Sequence, residues 1–142
     1  MYWVEISIPI KFMPLVSETI TIAPINEIFL HLDPEIGRIS ETIELSIYRI
    51  VQESLNNIHK HSSATIAWIN LERTSPRALM ITIEDNGEGV VENFDLTTFS
   101  KGGHCGLIGI EERVKLFGGR LRIRNKVEGG LLIQAEIPHP KA

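Results

Sequence analysis

Apolar residues change their spacing several times along this chain, and each change marks an element. Residues 5–12 and 18–22 alternate polar with apolar, which predicts two short strands joined near Pro14. Residues 27–32 read as a further strand, ended by Asp33-Pro34 and Gly37. From Ile43 the apolar stripe Ile47, Ile50, Val51, Ser54, Leu55 and Ile58 recurs at helical spacing. It predicts a helix from near Ser40 and Glu41 to about His61. Residues 65–71 and 78–84 are rich in β-formers and flank Thr74-Ser75-Pro76, so they should be antiparallel neighbours across that turn. Residues 90–105 lack a clear period and read as a mobile loop. Leu107, Ile110, Val114 and Phe117 return to helical spacing, and Gly118-Gly119 suits a left-handed cap. Residues 121–123 and 133–137 alternate again, predicting a closing hairpin across Glu128-Gly129-Gly130. The mixture of periods predicts an α+β sandwich.

Composition narrows the class. With 142 residues, 43% of them hydrophobic, the chain is long enough for one core and too short for two ordinary domains. A balance of 14 Lys+Arg against 18 Asp+Glu gives a net charge of -4 without a basic block, so nucleic acid is not an expected partner. The single cysteine, Cys105, cannot form an internal disulfide. Glu5 and Lys11 interrupt the first apolar stretch, and no window approaches the roughly 18 apolar residues of a membrane span. No membrane contact is expected of this segment. A cytoplasmic domain, or the soluble part of a membrane-bound sensor, fits this profile.

Three constellations carry chemistry. On the first helix, Glu53, Asn57, Lys60 and His61 line one flank of the apolar stripe, while Asn56 points away. Carboxylate, carboxamide, ammonium and imidazole so placed suit a triphosphate with its metal, although a solvated polar flank would look the same. In the second, Leu79, Ile81, Ile83 and Asp85 share one strand face, which carries a carboxylate to the interior edge. Gly87 and Gly89 follow, leaving a backbone that a flat purine can approach, with the adenine amino group as a candidate donor to Asp85. An ordinary Asp-Asn-Gly turn is the plainer reading, but it would not require Gly89. The third is Gly102-Gly103-His104-Cys105-Gly106-Leu107-Ile108-Gly109, a glycine-rich run entering a helix, whose N-terminal N–H groups favour phosphate; a hinge followed by a cap would look alike.

In this order and spacing the three segments resemble the ATP-binding catalytic domain of sensor histidine kinases, in particular the short-lid subfamily of nitrate and sugar-phosphate sensors. This group belongs to the gyrase, chaperone, MutL and histidine kinase ATPase superfamily. Residues 48–57 look like its asparagine box, 85–89 like its first glycine box, and 103–113 like its second; the likeness covers about residues 27–138. The resemblance implies a two-layer sandwich, a mixed and mostly antiparallel sheet covered on one face by helices, with ATP between the helices and a lid. It implies an ATP-binding catalytic domain over residues 27–142, leaving residues 1–26 as unassigned strands or an extension.

By match to the motifs, Asn57 would hold Mg²⁺ and Glu53 would be the general base. Lys60 and His61 would sit near the phosphates, and Asp85 would take the adenine amino group. Gly87 and Gly89 would allow close approach. The lid would span about residues 91–105 and be mobile without nucleotide, with His104, Gly106, Leu107 and Gly109 meeting phosphate or ribose at its hinge. The implied chemistry is phosphoryl transfer from ATP to a histidine on a separate dimerisation domain, with a response regulator as indirect partner.

Three departures qualify the match. Leu131 stands where the family often has a hydroxyl that supports the adenine-binding Asp, so that support is expected from elsewhere, such as water. None of His31, His59, His61, His104 or His139 lies in a phosphoacceptor helix of the family's kind, so the chain should bind ATP without phosphorylating itself. Residues 1–26 match nothing in the family. The missing acceptor helix keeps open a second class, a free-standing nucleotide-dependent regulator of the same superfamily, such as an anti-sigma-type serine kinase.

Overall fold

The computed structural model describes the backbone of residues 3–4, 27–61, 64–89 and 105–138, and their side chains apart from residues 3, 4, 27, 59–61, 105 and 106. The expected strands at 5–12 and 18–22 and residues 91–104 of the expected lid lie outside the described residues, and Cys105, expected to end the lid, opens a helix. The elements run β1 (Trp3–Val4), β2 (Glu27–Leu32), α1 (Glu41–His61), β3 (Ile66–Ser75), β4 (Ala78–Asp85), α2 (Cys105–Leu116), β5 (Arg120–Asn125) and β6 (Leu131–Pro138). They form one mixed sheet ordered β1-β2-β3-β4-β6-β5, parallel on the β1-β2-β3 side and antiparallel on the other.

The described elements have visible causes. Ser40 caps α1 by accepting the Ile43 N–H at 3.4 Å, and Glu41 and Glu44 place negative charge at the positive end of the helix dipole. The cap of α2 is a left-handed Gly118 with φ of 72°, after which the Gly119 N–H reaches back to the Val114 carbonyl at 2.9 Å. In β4 burial alternates strictly, with Leu79, Ile81, Ile83 and Asp85 inward. These side chains, with Ala67, Ile69 and Leu71 of β3 and Ile133, Ala135 and Ile137 of β6, pack beneath Ile47, Ile50 and Leu55 of α1 and Leu107, Ile110 and Val114 of α2. The result is the two-layer α+β sandwich expected, with the two described helices on one sheet face.

The turn between β3 and β4 also differs from expectation. β3 continues through Thr74 and Ser75, and the turn is Pro76-Arg77 alone. A register shift between Arg73 and Ser75 absorbs the extra residue, and the Ser75 hydroxyl accepts the Arg77 N–H at 3.2 Å. Thr74 and Ser75 therefore look like turn residues by composition, but Ser75 is paired with Ala78 across the strands and Thr74 is the bulged residue between paired neighbours. Asp33 ties this end of the sheet together: its carboxylate accepts the N–H of Arg73 at 3.0 Å and of Glu35 at 2.9 Å, and these bonds lower its pKa.

Candidate functional site

Four polar residues are buried among the described ones: Ser46, Ser54, Asn57 and Asp85. Ser54 satisfies itself by donating to the Ile50 carbonyl at 2.7 Å, within its own helix. Asp85 is the unusual case, because burying a carboxylate is expensive unless it is ionically or hydrogen-bond compensated. It is 1% exposed, and its Oδ1 accepts the Gly87 N–H at 2.7 Å and the Leu131 N–H at 3.3 Å. Among the described residues no hydrogen bond reaches Oδ2. The main chain of residue 131 is thus one of the two donors that hold this carboxylate.

The turn after Asp85 is built around that carboxylate and is not a hairpin turn, since the next strand beside β4 is β6. Asn86 anchors it to the start of β3: its Oδ1 accepts the Thr65 and Ile66 N–H groups, each at 2.9 Å, and its Nδ2 donates to the Thr65 hydroxyl at 3.0 Å. Gly89 has φ of 76°, and a Cβ there would lie 2.3 Å from Asn125 Oδ1. A Cβ on Gly130 would lie 1.9 Å from the Asp85 carbonyl oxygen, so the β5–β6 hairpin presses its backbone onto the end of β4.

A second cluster forms where α1 meets α2. Glu53 Oε1 lies 3.8 Å from Arg113 Nε, while Oε2 is buried with no hydrogen-bond partner among the described residues. Burial raises the Glu53 pKa, and the charges of Arg113 and Arg49 oppose the rise. A Cβ on Gly109 would come within 2.9 Å of Glu53 Oε2, so the absence of a side chain at 109 makes room for the carboxylate. Asn57 is one turn further along α1 and 7% exposed.

A family profile described as histidine kinase-, DNA gyrase B-, and HSP90-like ATPase matches residues 42–141. The chain belongs to that ATPase family. Relatives include the signal transduction histidine-protein kinase/phosphatase DegS of Brevibacillus brevis, 38% identical over 101 residues, covering 71% of this chain and 25% of DegS. The kinase/phosphatase UhpB of Salmonella typhimurium is 37% identical over 95 residues, covering 66% of this chain and 18% of UhpB. The chain therefore spans about a quarter or less of the length of these two relatives. Among solved structures, the ATP binding domain of PrrB from Mycobacterium tuberculosis superposes with a TM-score of 0.69 at 22% identity, covering 89% of this chain and 88% of that one.

Within this histidine kinase-type ATPase domain, the motif residues separate into those brought together and those not. Glu53 and Gly109 meet across the two helices, and Asp85, Gly87 and Gly89 form one turn beside β6. Leu107 is fully buried, so its side chain belongs to the core and only its main chain is offered at the first turn of α2. Gly106 lies in that same turn, while Lys60 and His61 end α1 with side chains outside the described residues, as is His104 entirely. The Leu131 N–H and the anchoring amide of Asn86 carried no signal in the sequence, because a main-chain donor and a turn amide look ordinary until the partner strand is known.

Proposed function

We propose that this ATPase domain is the phosphoryl-donor module of a two-component sensor histidine kinase, binding ATP with Mg²⁺ and passing the γ-phosphate to a histidine on a separate dimerisation domain, which in turn serves a response regulator. In this reading residues 27–142 are the module, residues 1–26 an extension, and the cytoplasm its place of action. No described helix is long and apolar enough to cross a membrane. The observation that carries the reading is Asp85, a buried carboxylate with one oxygen saturated by backbone donors and the other available to an amino group at the edge of a purine. A glycine turn at its side permits a flat ring to approach.

The chemistry follows from the second cluster. An imidazole nitrogen of the acceptor histidine attacks the γ-phosphorus, the bond to the bridging oxygen breaks, ADP leaves, and the imidazole proton passes to the Glu53 carboxylate. A carboxylate whose pKa is raised by burial is a stronger base than a solvated one. Asn57 offers a buried amide oxygen, a hard donor of the kind Mg²⁺ accepts beside phosphate oxygens and water. When bound, the metal would offset charge on the phosphates. Lys60, His61 and the main chain around Gly106 and Leu107 would add positive potential on the same side.

The test is incubation of the chain with γ-labelled ATP and Mg²⁺, alone and with an isolated phosphoacceptor domain of a sensor histidine kinase. Acid-labile label on the acceptor domain, and none on the chain itself, is the expected result. Acid-stable label on serine of an added protein would move the chain to a serine-kinase regulator. No nucleotide uptake at millimolar ATP would remove the reading altogether.

A further inference from the structure

Lys126 stands at the start of the β5–β6 turn, and its side chain is only 9% exposed. The ammonium sits 4.5 Å from the centroid of the Trp68 ring, which itself stacks on Phe29 with centroids 6.1 Å apart. It donates to the Asp85 carbonyl at 3.4 Å, and lies 3.7 Å from Glu84 Oε1 and 3.5 Å from Glu128 Oε1. Glu128 is largely exposed and contributes little, but the contacts to Trp68, Glu84 and Asp85 all bind the turn to the end of β3 and β4. The main chain of Lys126 closes the same turn, its N–H donating to the Gly130 carbonyl at 2.9 Å and its carbonyl accepting the Gly129 N–H at 3.1 Å.

The consequence lies on the opposite face of the sheet. Leu131, next after this turn, supplies one of the two N–H groups on Asp85 Oδ1, and Gly130 touches the Asp85 carbonyl. Whatever holds residues 126–130 against β4 therefore holds the donor that orients the Asp85 carboxylate. We propose that Lys126 is a positioning residue for purine recognition: by gripping Trp68, Glu84 and the Asp85 carbonyl from the open face, it fixes the Leu131 N–H and thereby aims Asp85 Oδ2 at the amino group of the base. The inference rests on the assignment of Asp85 to adenine and adds the residue that sets the selectivity of that contact for an amino-bearing purine.

Calorimetric titration of the full chain with Mg²⁺-ATP, Mg²⁺-inosine triphosphate and inorganic tripolyphosphate tests it. Inosine triphosphate presents a carbonyl where ATP has the amino group, and tripolyphosphate has no base. Lys126→Met, which keeps the apolar stem, should weaken ATP by about tenfold, the scale of one charge-assisted hydrogen bond. Inosine triphosphate should weaken much less and tripolyphosphate not at all, and Lys126→Arg should restore most of the ATP affinity. Trp68→Leu, which removes the ring beneath the ammonium, should reproduce the same ATP-selective loss in smaller measure, and it stands in if Lys126→Met does not fold. Equal affinity for ATP in wild type and Lys126→Met would overturn the inference, as would an equal loss for ATP and tripolyphosphate, which marks general loosening. If wild type takes up tripolyphosphate and inosine triphosphate as well as ATP, the adenine assignment of Asp85 itself falls, and the Lys126 inference with it.

Discussion

Asp85 and Asn57 occupy the two buried polar positions whose proposed partners belong to different parts of the same ligand, and this makes their roles separable. Asp85→Asn replaces an anionic acceptor with an amide that presents a donor or a weaker acceptor, so ATP affinity should fall about 10- to 100-fold with or without metal. Asn57→Ala should weaken binding only when Mg²⁺ is present. Isothermal titration in Mg²⁺ and in EDTA compares them, and equal losses in both conditions would contradict the division of roles. Glu53 gives a prediction in pH. Its pKa in the folded chain is raised by burial, so its contribution to stability is full below the ordinary carboxylate pKa and is lost as pH rises through the folded value. Glu53→Gln should accordingly melt higher than wild type at pH 7, the gap closing as pH falls into the carboxylate range, while phosphoryl transfer is lost. Arg113 counteracts the burial, so Arg113→Met should move the acid limb of the transfer pH profile upward.

At the level of elements, the two clusters exist because α1 crosses α2 and the β5–β6 hairpin meets β4. Gly109 is the contact point of the first crossing. Gly109→Ala places a methyl group within 2.9 Å of Glu53 Oε2, the far end of a flexible side chain, so the carboxylate must swing aside. Expected is little change in chemical denaturation, since Ala is the better helix former at this position, together with a drop in phosphoryl transfer larger than the drop in ATP affinity. An unchanged transfer rate would show that the carboxylate can move without consequence. The helix stripe, the alternation in β4 and the Gly118 cap were legible in sequence because each depends on neighbours within a few residues. The placement of Gly109 against Glu53 was not, since a glycine in a phosphate-binding motif and a glycine at a helix crossing look identical along the chain. The strand end at Ser75 was misjudged for the related reason that Thr74 and Ser75 have turn chemistry, while the pairing resumes at Ser75 with Ala78 after a one-residue irregularity.

Across the whole molecule, stability should reside in the strands flanked on both sides and in the helices above them. Ile81 in β4 is 1% exposed and packs in the core beneath the helices, so Ile81→Ala should cost about 2–5 kcal/mol in urea denaturation, much more than a change at the exposed Leu45. Amide exchange should be slowest in β3, β4 and β6 and faster in β5, which ends the sheet order. The sequence by itself determined the elements, the alternation that turns one sheet face inward, and the three motifs whose spacing identifies the ATPase family. Those are properties of period and of local backbone preference. Only the tertiary structure decided what each motif residue touches: Leu131 lends a main-chain donor to Asp85 across 46 residues, Lys126 grips the carbonyl of Asp85 across 41, and Arg113 reaches Glu53 from another helix. Contacts between distant segments depend on strand order and helix crossing, which a linear pattern does not encode, so the sequence could pick out candidate site residues but not their partners.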